Sequence, residues 1–371
     1  MMTTVAKDTL QAENIDLYAI DLFCGAGGLT HGLVKEGIPV VAGYDMDPAC
    51  QYPFEHNNQS TFVEADLTTV DPSDLLERWP EGKLKLLAGC APCQPFSSYS
   101  QGRDTSTDAK WRLLYAFGDL IRDCQPELVT MENVPQLPKH KVFEDFVATL
   151  KLQNYHVHWE VVFCPDYGMP QRRKRLVLLA SKLGPITLIP PTHKPGQYVV
   201  VQDIIKDLPR IAAGETDPKD VLHRASKVSE LNMSRLRQSK PGGTWRDWDE
   251  QLVAKCHRKA SGKTFPGVYG RMKWDEPAPT MTTLCYGFGN GRFGHPEQDR
   301  AISLREAALF QTFPATYQFT KPGTSVQLRT VGRLIGNAVP VDLGRVVAKS
   351  IKAHLAINSE KTNNHPKSSE T

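Results

Sequence analysis

Long apolar runs are missing from this sequence. Hydrophobic residues make up 40% of the 371, yet no stretch approaches the roughly 20 apolar residues that cross a bilayer. The first residues, MMTTVAKDTLQAEN, lack the apolar segment of a signal peptide. These absences argue against a membrane protein and a secreted one, and we expect a soluble protein of the cytoplasm.

Closely spaced cysteines are also scarce. Of eight cysteines only Cys90 and Cys93 form a C-x-x-C pair. A structural zinc site needs a second close pair, and a disulfide-stabilised small domain needs a denser set. We therefore predict reduced thiols and no metal site, with one of the thiols a candidate for reactivity.

The net charge of +3 is small, but it is unevenly distributed. Residues 1–181 hold 16 basic and 24 acidic side chains, whereas 182–300 hold 19 and 13. The segment 223–273 alone has 12 Lys and Arg against 4 Asp and Glu. Such asymmetry indicates either a polyanionic partner for the basic part or a solvated basic surface.

Short apolar runs alternate with amphipathic stretches in the first half of the chain. Strands alternating with helices are typical of a mostly parallel sheet covered on both faces. The pattern therefore predicts an α/β domain. The predicted strands are 17–23, 39–44, 84–90, 127–134, 157–163 and 175–181, and the predicted helices include 29–37 and 111–124.

The composition changes from about residue 185, where proline and glycine become frequent and the helical spacing of apolar residues is lost. This favours a second, irregular domain. Regular structure is predicted to return with SLREAALFQTF (303–313), which has Ser303 as N-cap and Glu306 three residues later. A last helix is predicted over 341–356, followed by a polar, disordered tail.

A glycine-rich turn follows the first predicted strand, in DLFCGAGGLTHGL (21–33). Such a turn lets a ligand approach bare backbone at a helix N-terminus. The dinucleotide fingerprint is incomplete because Thr30 stands at its third glycine, whereas Asp45 stands where a carboxylate binds ribose hydroxyls. A nucleoside without pyrophosphate is the better ligand hypothesis, and an ordinary tight turn is the alternative.

Three further motifs follow or precede apolar strands. GCAPCQPFS (89–97) places Cys93 at the carboxyl edge of the predicted sheet, where ligands bind in such folds. MENV (131–134) places Glu132 at the same edge, and glutamates are seldom buried without a partner or a task. QRRKR (171–175) could bind phosphate or a base edge, although a lone basic run is more often a solvated surface.

Taken together, these residues resemble the cytosine-C5 DNA methyltransferase family. The resemblance covers residues 20–181 and 270–345, and its motifs occur in the family's order. They are DLFCGAGGL, YDMD, GCAPCQPFS, ENV, QRRKR, SLREAALFQTFP and RLIGNAVP. The resemblance implies a Rossmann-like S-adenosylmethionine-dependent methyltransferase sheet with a second, smaller irregular target-recognition domain.

The resemblance also implies catalytic roles. Cys93 would be the thiolate that adds to carbon 6 of cytosine, so that carbon 5 can attack a methylsulfonium. Glu132 would hydrogen-bond or protonate ring N3 and hold the exocyclic amine. Arg173 and Arg175 match the family's Gln-x-Arg-x-Arg pattern and would hold the cytosine O2 and a nearby phosphate.

The implied cofactor is S-adenosyl-L-methionine. Asp45 would take the ribose hydroxyls, where the family most often has Glu, and Met46 would pack on the adenine. Ala91 and Pro95 also depart from the residues commoner in the family, Pro and Gly, without touching the nucleophile. The full implied cofactor set is Phe23, Gly25, Gly27, Asp45, Met46, Asp66, Asn337 and Val339.

The implied partner is double-stranded DNA, from which the target base is flipped out. The polar loop 97–108 would act as a lid, and the basic stretch 223–273 would meet phosphates. The implied DNA contacts are Gln94, Ser97, Arg103, Trp245, Arg271 and Thr282.

We predict a monomer, associated with the nucleoid through DNA, whose partner is a cognate restriction endonuclease that acts separately. The predicted catalytic domain is 1–184 plus 326–371, with a disordered tail over 358–371, and the recognition domain is 185–325. The alternatives are a tRNA cytosine-C5 methyltransferase of the same family, a thiol-dependent oxidoreductase and a non-enzymatic DNA-binding protein.

Overall fold

The computed structural model describes residues 16–92 and 111–363, with backbone alone from 360 onward. Nine strands lie in these ranges. They are Leu17–Leu22 (β1), Val40–Asp45 (β2), Thr61–Glu64 (β3), Leu84–Gly89 (β4), Leu128–Asn133 (β5), His156–Phe163 (β6), Gln171–Arg172 (β7), Lys174–Ser181 (β8) and Ala278–Pro279 (β9). All six predicted strands are confirmed, with ends shifted by at most one residue.

Seven of these strands form the central sheet, in the order β3-β2-β1-β4-β5-β8-β6. Strands β1 to β5 are parallel, and β8 runs antiparallel to both of its neighbours. The order changes direction between β1 and β4. In parallel α/β sheets such a switch point opens a ligand cleft outside the carboxyl ends of the strands.

Helices cover both faces of the sheet. The helices are Gly28–Lys35 (α1), Gln51–Asn58 (α2), Pro72–Leu76 (α3), Arg112–Cys124 (α4), Lys141–Leu152 (α5), Val201–Ile205 (α6), Glu230–Gln238 (α7), Lys255–Arg258 (α8), Leu304–Phe310 (α9), Leu328–Asn337 (α10) and Val341–Asn363 (α11). One hydrophobic cluster joins the sheet to α1, α2 and α11, and a second joins it to α3, α4 and α5. The predicted fold class is confirmed.

The region 185–303 has little regular structure, as predicted. Its helices span four to nine residues, and β9 has two. Beyond it, α9 begins with the predicted capping box, in which the Ser303 hydroxyl accepts from Glu306 N at 3.1 Å. Leu304 and Phe310 pack in the same cluster as α11, so the hydrophobic core does not stop at the predicted boundary of 325.

The last helix is longer than predicted. It continues to Asn363 rather than ending at 356, and residues 358–363, expected in the tail, are helical. Asn358 and Ser359 bond back to the carbonyl oxygens of His354 and Ala356 at 3.0 and 2.8 Å, so these polar side chains extend the helix. None of the helices described is long and apolar enough to cross a membrane.

Candidate active site

The turn after β1 exposes backbone at the carboxyl edge of the sheet. Phe23, Gly25 and Gly27 all have left-handed φ angles, of 57°, 53° and 84°. Apart from the adjoining residues, no described atom lies within 4 Å of where a Cβ on Gly25 would be, so the described part of the chain leaves open space beside the backbone there. A ligand can therefore approach the main chain at this turn.

Asp45 fixes the shape of this turn. Its Oδ2 accepts from Gly25 N and its Oδ1 from Asp47 N, both at 3.0 Å. Burial raises the pKa of this carboxyl group, and the two backbone hydrogen bonds oppose that rise. The adjacent Met46 is 67% exposed and lies at the same edge.

Asp66 follows β3 at this edge. It accepts from the backbone N and the hydroxyl of Thr68 at 3.0 and 2.8 Å, and these bonds lower its pKa. Its Oδ2 lies 3.9 Å from Arg112 Nη2. Asp45 and Asp66 therefore lie at and just beyond the carboxyl ends of the neighbouring strands β2 and β3.

The C-terminal part of the chain returns against the same turn. A Cβ on Gly28 would collide with the Val339 carbonyl oxygen, so only glycine allows this contact. Asn337 ends α10 and is exposed. Arg333 of α10 forms an ion pair with Asp47, a link that the sequence motifs did not reveal.

Asp21 is a residue that the sequence analysis overlooked. Its side chain is fully buried at the end of β1. Oδ2 accepts from the Thr30 hydroxyl at 2.6 Å, and Oδ1 is buried with no hydrogen-bond partner among the described residues. Burial raises its pKa to about 7. Thr30, which breaks the dinucleotide fingerprint, is thus the residue that anchors this acid.

Glu132 and Arg175 meet at the carboxyl end of β5. Arg175 Nε lies 2.7 Å from Glu132 Oε1, with the two side chains 15% and 11% exposed. The N–H is not directed at this oxygen, so Oε1 has no hydrogen bond within the described ranges. The pair places a half-satisfied carboxylate and a guanidinium beside the end of β4.

The cysteine motif leaves β4 next to this pair. Asn133 Nδ2 donates to Ala91 O at 3.0 Å and ties the motif to β5. Burial, with the Glu132 and Asp21 carboxylates nearby, raises the pKa of the Cys90 thiol, which opposes a reactive Cys90. The predicted residues Cys93, Gln94, Ser97 and Arg103 lie outside the described residues.

Arg173 is placed differently from the expectation. It is 2% exposed, and its guanidinium donates to the carbonyl oxygens of Met281 at 2.9 Å, Ala338 at 3.3 Å and Gly336 at 3.5 Å. Burial lowers its pKa to about 9. In this position it holds backbone segments together, whereas the resemblance implied a contact with the cytosine O2 or a phosphate.

Two of the predicted DNA contacts are also buried. Trp245 is 8% exposed and stacks on His257 with ring centroids 4.6 Å apart. Arg271 is 5% exposed and bonds to the carbonyl oxygens of Leu236, His295 and Gln298. Thr282, in contrast, is exposed as expected.

Fold and site together place a glycine turn and two carboxylates at the carboxyl ends of β1 to β3, and an acid–arginine pair at the end of β5. The model of the C-5 cytosine-specific DNA methylase family matches residues 17–353. The chain belongs to this family and is a DNA (cytosine-5)-methyltransferase.

Individual relatives agree with this assignment. The chain is 53% identical to the type II methylase M.HgiDII of Herpetosiphon aurantiacus, over 91% of this chain and 95% of that protein. It is 28% identical to the type II methyltransferase M.Sau96I of Staphylococcus aureus, over 92% and 77%. Among solved structures, a putative prophage-encoded DNA modification methyltransferase (E. coli) shares the fold with a TM-score of 0.71 at 21% identity, covering 92% and 99%.

Proposed function

We propose that this chain is the methylase of a type II restriction–modification system. It transfers a methyl group from S-adenosyl-L-methionine to carbon 5 of a cytosine in duplex DNA, which protects the site from a cognate endonuclease that acts separately. The similarity to M.HgiDII, named a type II methylase and 53% identical, supports this reading.

The residues at the carboxyl edge suit S-adenosyl-L-methionine. Open space beside Gly25 admits the ligand to the backbone, and Asp45 is held at the end of β2, where ribose hydroxyls are bound in such folds. Met46, 67% exposed, offers an apolar surface to adenine. The cofactor supplies an electrophilic methyl group, and Phe23, Gly27, Asp66, Asn337 and Val339 complete its pocket.

The buried Glu132 Oε1, which lacks a hydrogen bond among the described residues, is the observation that carries the proposal. An unsatisfied buried oxygen is costly and marks a place where a ligand completes the hydrogen bonding. A flipped cytosine offers ring N3 and the exocyclic amine for this role. Arg175, 2.7 Å away, keeps the carboxyl group oriented and reaches toward the base O2.

In the proposed reaction the Cys93 thiolate forms a bond to carbon 6, and Glu132 stabilises the charge that develops at N3. Carbon 5 then takes the methyl group, which leaves sulfur as its bond to the donor breaks. A base removes the proton from carbon 5, the carbon 6–sulfur bond breaks, and the thiolate is restored. Arg173 positions backbone in this scheme and touches no reacting atom.

The segment 185–325, with Thr282 exposed near its end, acts as the target-recognition domain in this proposal. The segment 97–108 lies outside the described residues, and its assignment as a lid over a flipped base rests on the sequence alone. The enzyme works as a monomer on DNA in the cytoplasm and nucleoid.

The test compares wild type with Cys93→Ser, and with Cys256→Ser as the control because Cys256 is an exposed thiol elsewhere. We expect bisulfite sequencing to reveal methylcytosine at one DNA sequence in cells that express wild type or Cys256→Ser, and none with Cys93→Ser. DNA bearing 5-fluorocytosine should trap wild type as a denaturant-stable adduct. Carbon 5 of this base carries fluorine in place of hydrogen, so no proton can be removed there and the carbon 6–sulfur bond does not break. Methylation of tRNA instead of DNA, or full activity of Cys93→Ser, would contradict the proposal.

A further inference from the structure

Three buried polar side chains lie between the central sheet and the chain segments that cover its edge. Gln171 and Gln311 are fully buried and Arg173 is 2% exposed. They come from β7, from the end of α9, and from the link between β7 and β8. We call these three residues the polar hub.

One side of the polar hub holds the Met281 peptide. Met281 N donates to Gln171 Oε1 at 3.1 Å, and Met281 O accepts from Arg173 Nη1 at 2.9 Å. Both polar groups of this residue are therefore fixed by the hub. The next residue along the chain is the exposed Thr282, the proposed nucleotide contact.

The other side of the polar hub holds the end of α10. Gln311 Nε2 donates to Ile335 O at 2.7 Å and to Ala338 O at 3.0 Å, and Arg173 Nη2 bonds to Ala338 O at 3.3 Å. Gln171 Nε2 donates to Gln311 Oε1, and this bond connects the side of the hub that holds Met281 to the side that holds α10. The held segment carries Asn337 and Val339, which the proposed function assigns to the cofactor.

The two held segments also touch each other directly. A Cβ on Gly336 would collide with the Thr282 carbonyl group, so the backbones pack with no side chain between them. Neither segment can shift without moving the other or breaking hub hydrogen bonds. Buried networks of this kind favour discrete arrangements over gradual deformation, because an unpaired buried group is costly.

We propose that the polar hub couples the DNA site to the cofactor site. DNA bound against Thr282 further stabilises the arrangement in which the hub holds the Met281 peptide and residues 335–339, so the cofactor is held more tightly. By reciprocity the cofactor strengthens DNA binding. Gln171, Arg173 and Gln311 are positioning residues in this scheme. The inference rests on the proposed function, since it uses the site residues assigned there.

The test measures the Kd of S-adenosyl-L-homocysteine by calorimetry, with and without saturating duplex DNA that carries the site found by bisulfite sequencing. No methyl group is transferred from this ligand, so binding is read without turnover. We expect DNA to lower the Kd about 5-fold or more in wild type. Arg173→Lys keeps the charge but loses the planar fork, and the ratio should fall to about 2-fold or less.

The matched control is Arg271→Lys. Arg271 is equally buried and also bonds to three carbonyl groups, but all of them lie in the region 185–303. It should keep the wild-type ratio. Gln311→Met provides a second hub variant of similar volume and should lose the ratio as Arg173→Lys does. A wild-type ratio retained in both hub variants, or lost equally in Arg271→Lys, overturns the inference.

A measurement on wild type alone covers the case in which the hub variants do not fold. DNA alone should slow amide hydrogen exchange at 335–339, and S-adenosyl-L-homocysteine alone should slow it at 281–283. Absence of either effect overturns the coupling. If wild type neither binds this ligand nor methylates DNA, the proposed function itself is wrong, whereas methylation with a coupling ratio of one contradicts only the coupling.

Discussion

The central sheet and the region 185–303 satisfy their backbone carbonyl groups in different ways. In the sheet, strand ladders such as β1–β4 pair carbonyl and amide groups regularly. In the irregular region, isolated backbone hydrogen bonds such as Met272 N to Gly294 O are supplemented by arginine side chains. Arg271 bonds to three carbonyl oxygens, Arg292 to Gly243 O at 2.6 Å and Arg235 to Leu252 O at 2.8 Å. A segment without ladders needs such donors, because buried carbonyl groups must be paired.

This difference changes how the basic charge of the second region is interpreted. Some of its basic side chains are buried and bond to carbonyl groups of the same region. Only the others can contact DNA phosphates. Arg271 belongs to the first group, whereas Arg237 lies at the surface with a side chain 68% exposed, although it also pairs with Asp299 at 3.4 Å. Charge counting therefore gives an upper limit to the number of DNA contacts.

The largest expected contrast between the regions is in salt dependence. DNA affinity should fall about 1,000-fold between 50 and 200 mM salt if about six phosphates are contacted. The Kd of S-adenosyl-L-homocysteine, which the proposed function assigns to the sheet edge, should change less than about 2-fold. Fluorescence anisotropy with labelled duplex and calorimetry with the cofactor product measure the two. Equal salt responses would remove the contrast.

Replacing Arg271 by Met tests whether buried arginines hold the second region. We expect the free energy of unfolding to fall by about 3 kcal/mol, since three carbonyl groups lose their donor. Urea unfolding and proteolysis within 185–303 measure this. The control is Arg210→Met, because Arg210 pairs with Glu297 at the surface, and it should cost less than about 1 kcal/mol. Similar losses in both would refute the structural role.

The sheet region contains the opposite case, a buried acid without a cation. Asp21 has a folded-state pKa of about 7 against an ordinary 3.8, so the native state binds a proton that the unfolded state releases between these values. Its contribution to stability is present below about pH 4 and is lost as pH rises to 7. Asp21→Asn should therefore gain about 2–3 kcal/mol relative to wild type between pH 5 and pH 8.

Denaturant unfolding at both pH values checks this prediction. Asp71→Asn is the control, since hydrogen bonds from Ser73 lower the pKa of this exposed carboxylate and it stays ionised throughout the window. Its difference from wild type should be the same at pH 5 and pH 8. A pH-independent effect of Asp21→Asn would show that burial does not retain the proton.

The smallest expected effect concerns Trp245. Its Nε1 is buried with no hydrogen-bond partner in the described part of the chain. Replacing the indole by a phenyl ring therefore removes little more than part of the packing on His257. Trp245→Phe should cost about 1 kcal/mol of stability and leave DNA affinity within about 2-fold. Thermal unfolding and anisotropy measure the two quantities. A large loss of DNA affinity without a loss of stability would indicate that Trp245 contacts DNA after all.

The sheet could be predicted from the sequence because apolar periodicity reports burial directly. The antiparallel direction of β8 could not, since strand direction depends on a connection that periodicity does not encode. The positions of Asp45, Met46 and Glu132 follow from motifs at strand ends, where topology sets the location. The burial of Arg173, Arg271 and Trp245 could not be predicted from the sequence. An arginine or a tryptophan occurs in the same local sequence pattern whether its side chain faces solvent or is buried against carbonyl groups or another ring.

The contact between the Tyr317 hydroxyl and Ala26 O spans 291 residues of chain. At 5–20 residues per second, the ribosome needs roughly 15 to 60 s to add that length. During this interval the glycine turn has emerged without the segments that enclose it. We therefore expect chains released early to be inactive even when the first five strands have folded, because the glycine turn then lacks the segments that pack on it.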